Sequence, residues 1–284
     1  MTFEVVEGGP LTTVQDLGRH GLGAYGVPDG GALDRGAHAR ANALVGNPAG
    51  SPTLEFTLVG PRLRWMGGSQ VGCALVGDAE EVRVVRPGAV LDCGRLLTRA
   101  RGYLAVPGGF QAQSVLGSAA TSLAGALGGH LGRGLRRGDR LDLQAVAAPA
   151  GAGEVARPTS LAPPPPAVVL RVLPGPGGVT PRALLASTWT ALSGDRAGVR
   201  LDGARLAAAP LERSLPLVPG AVEATAGGTP LLLLREHPTV GGYPVVAVVI
   251  EADLDAAAQL RPGTRVRFAA VSEAEAVEAR SALA

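Results

Sequence analysis

The sequence predicts a mainly β protein of many short strands with a few short helices, arranged as two related lobes. Three observations carry this. Forty-two glycines and 23 prolines in 284 residues cut the chain into short pieces. Apolar residues make up 46% of the chain, enough for real cores, yet aromatics are only 3%. A similar turn precedes a strand in each half, as Arg86-Pro87-Gly88-Ala89-Val90 and as Arg261-Pro262-Gly263-Thr264-Arg265-Val266.

In the first half, Thr2–Val6 reads as a strand ended by Gly8, Gly9 and Pro10, with a loop running on to Gly31. Ala37, Ala41 and Leu44 give one apolar helical face between Asp34 and Val45, with Asp34 at the N-terminus, Asn47-Pro48 as the stop and His38 on the exposed side. Strands are expected at Thr53–Leu58, Leu63–Trp65, Val71–Val76, Val82–Val85, Gly102–Val106 and Arg140–Leu143, and irregular chain at Leu116–Leu131. Their turn-bounded spacing reads as a barrel or sandwich. Residues 146–166, with four consecutive prolines, read as a linker between a lobe at 1–145 and a lobe at 167–284. In the second lobe, strands are expected at Val168–Leu173, Val199–Leu201, Leu231–Leu234, Val245–Ile250 and Val266–Phe268. Thr180-Pro181 opens a short helix through Ala186, Asp253–Leu260 is helical, and Ser272 with Glu275 makes a capping box.

Every one of the 26 basic residues is arginine. Without lysine the chain holds no Walker-type phosphate loop, no Schiff-base lysine and no biotinyl-lysine. The net charge is only +2 and no basic stripe alternates with aromatics, so no nucleic-acid partner is expected. Cys73 and Cys93 are too few for a disulfide framework or a zinc site, and His20, His38, His130 and His237 lack ligand spacing, so no metal is expected. With no signal-like N-terminus and no long apolar run, the expected location is cytoplasmic, away from membranes.

Chemistry concentrates in Thr12–Asn47. Here Gln15, Asp16, Arg19, His20, Tyr25 and Asp34 stand among Gly18, Gly21, Gly23, Gly26, Gly30 and Gly31. Such bare backbone suits either a ligand rim or a plain glycine-rich loop, and helix capping alone accounts for Asp34. No serine stands in this stretch and no G-x-S-x-G elbow occurs, which argues against a hydrolytic triad through His20. Arg196 and Arg200 flank a glycine closely enough to grip one carboxylate or phosphate, or else are two solvated arginines. His237, Thr239, Gly241, Gly242 and Tyr243 form a turn that could hold an oxyanion, or an ordinary hairpin turn.

TTVQDLGRHGLGAYGVPDGGALD, ANALVGNP and LEFTLVGPRLR resemble the KipA family, to which the 5-oxoprolinase C subunit and allophanate hydrolase subunit 2 also give their names, with its carboxyltransferase-type domain. The likeness continues in order through YLAVPGGF, VLGSAAT, GRGLRRGDRL, DRAGVRL, LVPG, HPTVGGYPVVAVVIEADL and QLRPGTRVRF. The hairpin between Val76 and Val90 is shorter than usual, and Val240 stands where the family tends to have threonine. The resemblance implies two cyclophilin-like β-barrel lobes. It implies two partners in a 5-oxoprolinase complex, one KipI-like and one LamB/YcsF-like, and ATP-driven opening of the lactam of 5-oxoproline to glutamate. It also leaves open a urea- or allophanate-type carboxyltransferase with biotin supplied in trans, and a non-enzymatic KipA-type partner of a KipI-like kinase inhibitor. Where ATP sits in the complex does not follow. On these positions Asp16, Asp34 and His237 are the expected proton-moving residues, and Gln15, Arg19, Tyr25, Arg196, Arg200, Thr239, Gly241, Gly242 and Tyr243 the expected substrate contacts.

Overall fold

The computed structural model describes residues 1–145, 159–162, 165–176, 181–207 and 211–283. The chain falls into two compact units, one of Met1–Arg19 with Gly30–Pro163, the other of His20–Asp29 with Pro164–Ala284. The second unit thus takes ten residues of the opening stretch, which a division into contiguous lobes does not contain. Most of the expected linker lies outside the described residues, as does Thr180.

In the first unit the strands are β1 (Thr2–Glu7), β2 (Thr12–Gln15), β3 (Thr53–Thr57), β4 (Arg62–Trp65), β5 (Val71–Val76), β6 (Ala79–Val85), β7 (Val90–Asp92), β8 (Arg101–Ala105), β9 (Arg140–Asp142) and β10 (Thr159–Ser160). They form a four-stranded sheet, β7-β4-β1-β9, and a six-stranded sheet, β10-β6-β5-β8-β3-β2. Strand β2 replaces the expected loop after Pro10. Its β-branched Thr-Thr-Val run pairs with β3 from Thr12↔Phe56 to Gln15↔Thr53, and all four residues are buried. Phe3, Trp65, Phe56, Leu54, Leu104 and Phe110 anchor one core, with the Phe3 and Trp65 rings 4.6 Å apart. Cys73 and Cys93 are free thiols buried in it. Burial pushes the Cys73 thiol up to about 12, so it behaves as a small hydrophobe.

Helix α1 (Arg35–Leu44) starts where expected, the Asp34 carboxylate accepting from the Ala37 N–H at 2.7 Å. Ala37 and Ala41 bury as expected, but His38 is fully buried rather than exposed. The reason is an i, i+4 polar pair turned inward. His38 Nδ1 is hydrogen-bonded to Thr53 Oγ1 at 2.9 Å, and its Nε2 lies 3.3 Å from Asn42 Nδ2, which donates to the Ala49 and Ser51 carbonyls. Burial lowers the His38 pKa to about 4, so the ring is neutral.

The second unit holds β11 (Ala167–Pro174), α2 (Arg182–Ala186), β12 (Trp189–Gly194), β13 (Gly198–Asp202), β14 (Leu215–Pro216), β15 (Ala221–Ala224), β16 (Pro230–Leu233), β17 (Val240–Gly241), β18 (Val245–Val249), α3 (Leu254–Ala258), β19 (Arg265–Ala270) and α4 (Glu273–Ser281). Seven strands close into a barrel in the order β11-β18-β15-β16-β13-β12-β19, the seam being the parallel pair β11–β19. Cross-strand register sorts its two faces, because directly opposed residues point the same way. Val199, Leu232, Val222 and Ala247 form one buried row across four strands. Arg200, Leu231, Glu223 and Val245 form the next row, on the outer face. Strands β12 and β15 escape the sequence pattern. Ala-Val-Glu-Ala has weak strand preference, and pairing to β16 and β18 on both sides holds it. The Ser272–Glu275 capping box opens α4 as predicted. Among the described residues no helix is long and apolar enough to cross a membrane.

Candidate functional site

Within the first unit, Asp16 organises the glycine-rich stretch. Its carboxylate accepts from the Gly18 N–H at 2.7 Å, the Ser118 hydroxyl at 2.6 Å and the Ala119 N–H at 2.6 Å. Its backbone carbonyl accepts from the Ala32 N–H, and Gly31 fits there because a Cβ would stand 2.6 Å from the Gly18 nitrogen, at a φ of +79°. Buried Gln15 donates to Thr13 Oγ1 at 2.9 Å and to the Thr121 carbonyl at 3.1 Å, leaving its sealed Oε1 without a partner among the described residues. Buried Arg19 donates to the carbonyls of Val115 and Ala120. Gln15, Asp16 and Arg19 therefore converge on one partner, the irregular Val115–Thr121 loop. Asp34 does not join them. Its N–H donates to the Tyr103 hydroxyl at 2.8 Å, and that hydroxyl donates to Glu55 Oε2 at 2.7 Å. Burial raises the Tyr103 pKa well above 10, which keeps this donor protonated.

Within the second unit, a cleft of about 470 Å³ opens against the barrel wall, lined by Ser193, Gly194, Asp195, Ala197, Arg200, Leu231, Leu233 and Pro238 among others. The β12–β13 connection shapes one side. Asp195 Oδ1 accepts from the Ala197 and Gly198 N–H groups, turning the chain tightly. The expected two-arginine grip does not form. Arg196 is 1% exposed, its Nε donating to Glu236 Oε2 at 2.8 Å, while Arg200, on the outer face of β13, faces the cleft. Arg196 lies in the turn before β13 and is drawn inward by Glu236, whereas Arg200 follows the strand's alternation to the outer face.

His237 is buried, and its Nδ1 donates to the Pro238 carbonyl at 2.6 Å, which leaves Nε2 unprotonated. Burial lowers its pKa; the Pro238 hydrogen bond and the charge of Asp29 act the other way. Asp29 also pairs with His20 Nδ1 at 3.1 Å. Within the expected His237–Tyr243 turn, Val240–Gly241 forms a ribbon instead, because β17 pairs with β14 and the Leu217 N–H reaches the Thr239 carbonyl. Gly241 has a packing reason rather than a conformational one. A Cβ there would lie 2.7 Å from Glu223 Oε1 and 2.7 Å from Leu217 Cδ1. Tyr25, at 82% exposed, and Tyr243 point to solvent. Sequence reasoning passed over Glu223, Glu236 and Asp29. A lone acid inside the apolar run Leu217–Ala224 was the one legible signal.

Among the described residues no cluster of three or more His, Cys, Asp or Glu could hold a metal ion. Fold and cleft together define a two-unit β protein with a small pocket of mixed polar and apolar lining against a barrel wall. The chain belongs to the carboxyltransferase domain family, subdomains A and B, whose model matches residues 25–270. It is 34% identical to the 5-oxoprolinase C subunit of Escherichia coli (strain K12), over 98% of this chain and 94% of that protein. The crystal structure of TTHA0988 superposes with a TM-score of 0.85 at 34% identity, covering 94% of this chain and 56% of that one. The Kluyveromyces lactis urea amidolyase structure gives a TM-score of 0.85 at 28% identity, covering 99% of this chain and 19% of that enzyme.

Proposed function

We propose that this chain is the C subunit of an ATP-dependent 5-oxoprolinase complex, which opens the lactam of 5-oxoproline to glutamate. One observation carries the reading: the match to a protein named as the C subunit of 5-oxoprolinase runs nearly end to end in both chains. The cleft supplies suitable chemistry. Arg200 on its lining presents a guanidinium to a substrate carboxylate, and buried His237, adjoining the lining residue Pro238, is a neutral imidazole whose unprotonated Nε2 suits it to accept a proton. Asp16 and Asp34 support this as framework residues, their carboxylates engaged by backbone N–H groups. The N-terminus of helix α1 does not suit the phosphates of ATP. It is headed by the Asp34 carboxylate, which repels an anion where a phosphate would dock, and lysine is absent from the chain. ATP is assigned to the other members of the complex, one KipI-like and one LamB/YcsF-like, in the cytoplasm.

Combining the three proteins with ATP and 5-oxoproline tests this: glutamate release that continues without this chain refutes it. The likeness to urea amidolyase favours a second reading, a carboxyltransferase component for urea or a similar amide. Biotin would then arrive on another chain, since no lysine here can carry it. Carboxylation of urea that depends on an added biotin-bearing partner would select it.

A further inference from the structure

Strand β12 changes its pattern partway along, and Ser193 is the residue this re-aims. Its first three residues alternate, with Trp189 and Ala191 fully buried and Thr190 less so. Continued alternation would turn Leu192 outward and Ser193 inward, toward the barrel core. Instead both are exposed. The register gives the reason. Ala191 stands opposite Leu201 and Gly194 opposite Val199, so Leu192 and Ser193 together oppose the single residue Arg200. Two residues against one make a β-bulge, a device that redirects a side chain and is common beside active sites. Gly194 follows the bulge for a packing reason: a Cβ there would lie 2.7 Å from the Gly198 carbonyl oxygen.

The bulge puts Ser193 on the outer face beside Arg200, and both residues line the cleft. Opposed residues on antiparallel strands stand about 5 Å apart at Cα, a separation across which two side chains reach one carboxylate. Among the described residues the Ser193 hydroxyl and the Arg200 guanidinium take part in no hydrogen bond or ion pair. Asp195, the acid on the lining, has its Oδ1 turned to the Ala197 and Gly198 N–H groups. Leu231, opposite Arg200 on the next strand, adds an apolar wall with Leu233 and Pro238. Cation, hydroxyl and apolar surface thus line one cleft.

We infer that Ser193 is a specificity-determining residue whose hydroxyl donates to the same ligand carboxylate that Arg200 pairs with. This rests on the reading of the chain as a 5-oxoprolinase subunit and deepens it, by naming how the cleft selects its ligand. The ligand class is a compact monocarboxylate whose apolar body lies against Leu231, Leu233 and Pro238. A guanidinium and a hydroxyl on one carboxylate give it charge-assisted hydrogen bonds from two sides. A ligand of the same shape without the acid leaves both donors unused and is rejected.

The test is equilibrium titration of the full chain, alone and with its partner proteins in the absence of ATP. The probes are 5-oxoproline against 2-pyrrolidinone, the same ring without the acid, and cyclopentanecarboxylate against cyclopentanol. The wild type is expected to prefer the acid of each pair by about thirty-fold or more. Ser193→Ala should weaken binding of the acids about ten-fold and leave the neutral compounds unchanged. Ser193→Thr, which keeps the hydroxyl, should stay within about two-fold of wild type. In an Arg200→Met background Ser193→Ala should cost only about two-fold, because the two residues share one ligand group. A wild type that prefers neither acid, an alanine variant that keeps the full preference, or equal losses for alanine and threonine overturns the inference. If the wild-type complex releases glutamate and Ser193→Ala does so with unchanged KM, the inference fails and the functional reading stands. If no glutamate is released but the preference for cyclopentanecarboxylate depends on Ser193, the reading fails and the inference stands.

Discussion

Asp16 in the first unit and Glu223 in the second are both carboxylates beside glycine-rich chain, and they are used in opposite ways. Asp16 is half-buried, and its two oxygens accept three hydrogen bonds that tie Gly18, Ser118 and Ala119 together. Glu223 is buried more deeply and holds against a glycine an oxygen that has no partner among the described residues. The difference teaches that polar density in a sequence does not locate chemistry. A satisfied acid fixes a loop, and an unsatisfied one is open to a donor. In the most polar stretch of this sequence the Asp16 and Asp34 carboxylates are taken up by nearby donors, whereas the nearly featureless Ala-Val-Glu-Ala holds an acid whose Oε1 has no partner among the described residues.

The contrast can be broken or sharpened in four ways. The largest effect is expected at the buried Arg196–Glu236 pair beside the cleft. Glu236→Ala strands a guanidinium and should cost about 4 kcal/mol in urea unfolding, while an Arg196→Met, Glu236→Leu double replacement should recover most of it. If the single variant costs under about 1 kcal/mol, the pair is not what holds the cleft wall. Next comes acid sensitivity of the first unit through His38. Its folded pKa of about 4 lies below the ordinary 6.5, so between those values the unfolded chain binds more protons. Stability should therefore fall as pH drops from 6.5 to 4, by about 3 kcal/mol, and denaturation curves of His38→Gln across that window should lack this component. Third, Asp16→Ala removes an acceptor for three donors and should cost about 2 kcal/mol, with Asp16→Asn intermediate, as read from denaturant midpoints. The smallest stability effect belongs to Gly241→Ala, about 1 kcal/mol from crowding at Leu217. Unfolding in urea checks it: no loss would mean that Leu217 and Glu223 give way to the added methyl.

Local chemistry made much of the architecture legible in advance. The Asp34 cap, the Ser272–Glu275 capping box and the buried thiols each follow from a residue type and its immediate neighbours. Reading failed where distant strands set the answer. His38 looked exposed because the Ala37–Ala41–Leu44 face excluded it, yet Thr53 offered its ring a partner. Trp189–Gly194 and Ala221–Ala224 became strands through pairing partners elsewhere in the chain. In the candidate site, His237 and Arg200 were legible as residue types. The separation of Arg196 from Arg200, and the ribbon formed by Val240–Gly241, required knowing which face and which partner each would meet.

The sequence by itself determined the class of this protein: short turn-bounded strands, no lysine chemistry, and a run of motifs in order that defines a family. These depend on composition and short-range spacing, which are present in the chain before it folds. Only the tertiary structure decided which polar groups are satisfied. Whether a carboxylate finds a donor depends on strands and loops brought together from far along the chain, Ser118 and Ala119 for Asp16, and Leu217 and Gly241 around Glu223.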